Sequence, residues 1–201
     1  MVSHLGIYAS QISGHLAAPN SYESIATVTI SSDTNTISFT SIPSTYTHLQ
    51  LRGIVRCNYN SSSTGASAYK IQFNGDTGAN YSFHALQGNG TSASANATSS
   101  TNQILGIAPW GNAGGFGAGV LLTPIIIDIL DYKSTSKAKS VKIMDAFNTN
   151  TTSTNQLIAL RSGAWYNTSA ITSILLDATA GSWSDGPFAA NTSFALYGIK
   201  G

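Results

Sequence analysis

Apolar and polar residues alternate with a period of two along most of this chain, as in "ESIATVTI", "NTISFT", "THLQLRGIVR" and "SVKIMDAF". No segment sustains the i, i+3, i+4, i+7 spacing that gives a helix one apolar face. The pattern predicts an all-β protein. Strands are expected in "ESIATVTI", "NTISFT", "THLQLRGIVRCNY", "SAYKIQFN", "YSFHALQG", "NQILGIA", "PIIIDILDY", "SVKIMDAFN", "NQLIALRSGAW", "AITSILLD" and "SFALYGIKG". The "SSDT" between the first two reads as a hairpin turn with Asp33 near its tip. Turn-rich runs cover 74–80, 88–102, 111–119 and 177–193. Short strands separated by Gly, Asn and Ser turns, ten or eleven in all, predict a jelly-roll-like antiparallel β-sandwich over residues 21–201.

Residues 1–20, "MVSHLGIYASQISGHLAAPN", precede the first clean strand and carry Leu5, Ile7, Ile12 and Leu16 among small residues. A frayed terminus would leave these four wet, at roughly 1.5–3 kcal/mol each relative to burial. The favoured expectation is an extended N-terminal arm that docks on a neighbouring protein through them.

Composition narrows the function. The length of 201 residues suits one domain with a full core. Only 8% of residues are charged, against roughly 25% in ordinary soluble domains, so solubility rests on hydroxyls and amides. A net charge of +1 gives no electrostatic footprint for nucleic acid. The lysines of "KSTSKAKSVK", Lys133, Lys137, Lys139 and Lys142, are flanked by Asp128, Asp131 and Asp145 and read as a solvated loop and strand face. Cys57 is the sole cysteine, so no internal disulfide forms. The run "VLLTPIIIDIL" is too short and too interrupted to span a bilayer, and no secretory h-region opens the sequence, so no membrane partner and synthesis in the cytoplasm are expected.

Chemistry is sparse. His4, His15, His48 and His84 show no metal-binding spacing, and no nucleophile elbow surrounds a serine. Asp76 in "FNGDTGANY" fits a turn in which Asn-Gly supplies positive φ and the carboxylate caps an amide; a Ca²⁺ loop is the alternative. "GNAGGFGAG" lacks the lysine and following helix of a phosphate cradle. No catalytic residue, metal or cofactor is assigned. Trp110, Trp165 and Trp183 lie in or beside turns, where they either contact a glycan or protein partner or pack over the end of the sandwich.

In "THLQLRGIVR", Leu49, Leu51, Gly53 and Val55 share the core face of a strand, and His48, Gln50, Arg52, Ile54 and Arg56 share the other. Polar heads on long stems, with no carboxylate adjacent in sequence, fit a surface covered by another subunit better than a catalytic pocket. His48, Arg52 and Arg56 are therefore expected at a subunit interface.

The ordered set "YESIATVTI", "FTSIPSTYTHLQLRGIVR", "IQFNGDTGANYSFHALQGNG", "IDILDYKSTSKAKSV", "SGAWYNTSAITSILLD" and "SFALYGIKG" resembles a family of virion proteins from tailed bacteriophages, over about residues 22–201. The resemblance implies a virion surface component assembled in the host cytoplasm, and supplies no catalytic residues. "HLGIYASQISGHL" is similar to the short leader preceding this domain in the family, which implies the docking arm. The expected role is a non-enzymatic capsid decoration or cement protein, a homo-oligomer partnered by major capsid or tail proteins. The alternative within the virion is a tail or fibre component that binds host surface glycan. A glycan hydrolase would need paired acids, such as Asp76 with Asp185.

Overall fold

The computed structural model describes residues 21–58, 64–111, 122–148, 156–179 and 186–200, with backbone alone at 64–66 and 109–111. The docking residues expected at Leu5, Ile7, Ile12 and Leu16, together with Trp183 and Asp185, lie outside the described residues.

Among the described residues twelve strands form two antiparallel sheets, where sequence alternation alone predicted ten or eleven. They are β1 (Tyr22–Thr29), β2 (Thr36–Phe39), β3 (His48–Val55), β4 (Thr64–Phe73), β5 (Tyr81–Gly88) and β6 (Ala93–Thr101) in the first half. The second half supplies β7 (Ile104–Gly111), β8 (Thr123–Leu130), β9 (Lys139–Phe147), β10 (Leu157–Trp165), β11 (Ile174–Asp177) and β12 (Ser193–Ile199). The larger sheet runs β1-β12-β3-β8-β9-β10-β5-β6 and the smaller β2-β11-β4-β7. With the hairpins β5–β6 and β9–β10 set aside, the chain leaves β1-β12-β3-β8 facing β2-β11-β4-β7, the interleaved order of a jelly roll. The two hairpins then extend one sheet by four strands.

β1 and β2 do not form the hairpin expected around Asp33. β1 pairs with β12 and β2 with β11, so the link between them crosses from sheet to sheet. The Asp33 carboxylate accepts from the Ala190 amide and the Asn58 side chain. Two alternating strands joined by a short polar turn read alike whether they pair or cross a sandwich. β6 is the other departure: residues 88–102 read as loop, because Ala, Ser, Thr and Asn give no apolar alternation, yet β5 templates a strand there.

Burial follows the pleat. Leu49, Leu51 and Val55 of β3, Ile125, Ile127 and Ile129 of β8, and Val141 and Ile143 of β9 all point between the sheets. At one end Tyr69, Phe188 and Phe194 make an aromatic cluster, and at the other Phe73, Tyr81 and Trp165 make a second. The inner layer also holds ions. Arg161 Nε lies 3.1 Å from Asp145 Oδ2, with both side chains at most 3% exposed, and the Ile107 amide donates to the same oxygen. Burial pushes the Asp145 carboxyl up, with Arg161 pulling against it. Lys139, read from sequence as solvated, is fully buried. Its Nζ donates to the carbonyls of Ser134, Lys137 and Thr168, pinning the β8–β9 turn, and burial lowers its pKa.

Candidate functional site

The outer face of the larger sheet is where the described residues leave uncompensated surface. Cross-strand pairing aligns its side chains in three rows. The first runs Arg52, Ile126, Met144, Leu160, Leu86 and Ala95 from β3 to the edge at β6. The second holds Ile54 opposite Pro124, and Ala146 opposite Ile158. Ile54, Leu86, Met144, Ile158 and Leu160 remain between 49% and 64% exposed. At about 25 cal/mol per Å² of apolar surface, leaving such a patch wet forgoes several kcal/mol that a covering protein would recover. Leu86, Leu160, Ala95 and Ala97 line an open depression of about 590 Å³ on this face.

The third row is polar. Tyr197, Gln50, Asp128, Lys142, Ser162 and His84 follow one another across the sheet. Gln50 Nε2 donates to Asp128 Oδ1 at 2.6 Å, and Lys142 Nζ sits 3.0 Å from Asp128 Oδ2. Tyr22 and Arg52 both donate to Gln50 Oε1. The Arg52 guanidinium lies 5.5 Å from the Tyr22 ring centroid, and Tyr22 stacks on Tyr197 at 4.8 Å. Cation, amide and carboxylate thus neutralise one another along the margin of the apolar rows. The surface offers shape and apolar contact rather than net charge.

The three residues expected at an interface do not act as one cluster. Arg52 is exposed at the centre of β3. His48, half-buried at the start of β3, accepts the Asp131 amide on Nδ1 at 3.0 Å and lies 3.8 Å from the Asp131 carboxylate, so it helps hold the β8–β9 turn. Arg56 lies past the end of β3, partly buried; its carbonyl accepts from the Ala189 amide and the Thr192 hydroxyl, and its Nε is buried without a partner.

Trp165 does not offer the glycan or partner contact expected of it. It is 1% exposed, the last inward residue of β10, and its indole donates to Asp76 Oδ2 at 2.7 Å. Its parity with Ala159 and Arg161 sends it inward, which proximity to a turn concealed. It therefore cannot contact a glycan. The Trp110 side chain falls outside the described residues.

Asp76 sits in the turn foreseen for it: Asn74 and Gly75 have φ of 53° and 68°, and Asp76 Oδ1 accepts the Gly78 amide. Burial works to raise its pKa, but hydrogen bonds from Trp165, Gly78 and Asn80 outweigh that and hold it below the usual carboxylate range. The other acids among the described residues are likewise engaged: Glu23 with Lys200 and Tyr46, Asp131 with Lys137, Asp177 with Lys70 and Thr179. No known protein family, curated protein or solved structure matches the chain.

Proposed function

We propose that the chain is a non-enzymatic structural protein on the surface of a tailed-phage virion, a capsid decoration or cement protein held by residues 1–20 and by the outer face of its larger sheet. The observation that carries the reading is the exposed apolar pair of rows around Met144, Leu160 and Ile158, a surface that suits a covering protein. Two further features support it. The carboxylates of the described residues are committed to local partners rather than paired in a groove for acid–base work. The low charge tolerates close packing of identical copies.

The runner-up, a tail or fibre component gripping host glycan, keeps one observation in its favour: the stacked Tyr22–Tyr197 pair beside Arg52 offers a sugar an aromatic platform with a donor at its margin. Electron microscopy of phage particles labelled with an antibody against this protein separates the two. Decoration over the capsid lattice is the expected result. Label at the tail tip alone transfers the protein to the runner-up, and unlabelled particles refute both.

A further inference from the structure

A sheet edge presents unpaired N–H and C=O groups to any strand that reaches it, and proteins blunt such edges by shortness, charge, proline or bulges. The two sheets have four edges, β1 and β6 in one and β2 and β7 in the other. Three carry these devices. β1 has Glu23 in an ion pair with Lys200 and a bulge between Ser24 and Ala26. β2 is four residues long, and β7 contains Pro109.

β6 carries none of them from Ala93 to Thr98. This stretch has no charge and no proline, and it is exposed on both faces; its bulge comes only after Thr98, near Ser100 with φ of 50°. The orientation of its free groups follows from the hairpin. The Asn89 amide donates to the Ser92 carbonyl, so 89 and 92 form a hydrogen-bonded pair. Parity then turns the backbone groups of Ser94, Asn96 and Thr98 toward β5 and those of Ala93, Ala95 and Ala97 toward the open edge. The same three alanines are cross-strand partners of Gly88, Leu86 and His84, so their methyls lie on the outer face.

We propose that β6 pairs antiparallel with β6 of a second copy of this chain about a two-fold axis at Ala95. In that register Ala95 meets Ala95 of the second copy, and Ala93 meets its Ala97. All three are hydrogen-bonded positions, so about six backbone bonds form. The occupant is a second copy because an antiparallel pair centred on one residue is self-complementary, as a two-fold interface must be. The apolar row Met144, Leu160, Leu86, Ala95 then runs on without interruption into its counterpart. The bulge at Thr98 to Thr101 limits the pairing to this segment. At one hydrogen bond per 100–200 Å², six bonds correspond to roughly 600–1,200 Å² of total buried area, the low end for specific interfaces, so the dimer dissociates on dilution.

The inference concerns the isolated chain. It stands whether or not the protein resides on a virion, and its failure leaves the virion reading intact. Sedimentation equilibrium of the full chain tests it: wild type should show twice the chain mass at high micromolar concentration and halve on dilution. Ala95→Pro removes an N–H that faces only the open edge, and Ala95→Lys adds an edge charge; each should stay monomeric where wild type is dimeric, at an unchanged melting temperature. Should the proline variant misfold, the lysine variant carries the test. Ala95→Cys should give a disulfide-linked dimer under mild oxidation and Thr91→Cys should not, since only the former meets itself on the axis. A monomeric wild type, a trimer, an oligomer indifferent to both Ala95 variants, or cross-linking at 91 but not at 95 overturns the proposal.

Discussion

Replacing Arg161 by Met leaves the Asp145 carboxylate buried between the sheets with the Ile107 amide as its remaining donor. Breaking a buried pair from one side costs about 3–5 kcal/mol. An independent upper bound agrees: the folded protein escapes the buried charge by protonating Asp145, which even from an ordinary value near 3.9 costs at most about 4 kcal/mol at pH 7, at 1.36 kcal/mol per unit. The sign follows from burial, which already raises this carboxyl against the pull of Arg161. Without Arg161 the folded pKa climbs further above the unfolded one. A carboxyl raised on folding favours the folded state fully only below its unfolded pKa, so the variant's stability declines as pH rises from about 4 by about 1.4 kcal/mol per unit, until the folded pKa is passed. Urea denaturation at intervals from pH 4 to 8 should therefore show a loss of about 3–4 kcal/mol at pH 7 that shrinks to the packing cost, about 1.5 kcal/mol or less, near pH 4. Adding Asp145→Asn, which keeps an acceptor for Ile107, should restore most of the loss at pH 7. A deficit that is small, or flat across this pH range, would refute the buried pair.

Two other perturbations probe the loops that frame the sheet ends. Trp165→Phe removes the 2.7 Å bond to Asp76 and should cost about 1.5–3 kcal/mol at neutral pH, as a hydrogen bond to a charged acceptor does. Because Asp76 is depressed in the folded state, its contribution is present above the ordinary value of about 4 and is lost as pH falls through the folded pKa, so the gap between variant and wild type should narrow in acid melts. Lys139→Met strips the donor from three carbonyls and should destabilise by about 2–4 kcal/mol, with faster amide exchange in residues 131–138 as the local signature.

Period-two alternation located eleven of the twelve strands among the described residues because each has an inward face of branched or aromatic residues, as Ile125, Ile127 and Ile129 show. β6 escaped because no described residue covers either of its faces, and a strand held by backbone pairing alone leaves no apolar trace. The sandwich crossing at Asp33 was equally silent, since alternation reports which side chains go inward and not which strand lies alongside. Lys139 was misread for a related reason: a lysine looks solvated until three carbonyls converge on it from residues 134, 137 and 168. The outer face was half legible. Arg52 and Gln50 were placed there by parity, but Asp128 and Lys142 reach them only through the order β3-β8-β9. A signal for the apolar rows was present in "LIALR", where both parities are apolar, so that Ile158 and Leu160 had to face outward if Ala159 and Arg161 faced in.

If the outer face is covered when the protein is in place, one side chain loses its access to solvent. Met144 is half exposed at the middle of the apolar rows and, apart from Met1, is the chain's sole methionine. Its oxidation by dilute peroxide, followed by mass spectrometry, compares the free protein with the protein in purified phage particles. The β6 pairing lies three strands away and leaves Met144 open, so the free chain should oxidise readily at any concentration. On particles the rate should fall at least about tenfold, the effect of a covering contact worth about 1.4 kcal/mol. Equal rates in the two settings would mean that the outer face stays open on the particle and that the docking surface lies elsewhere.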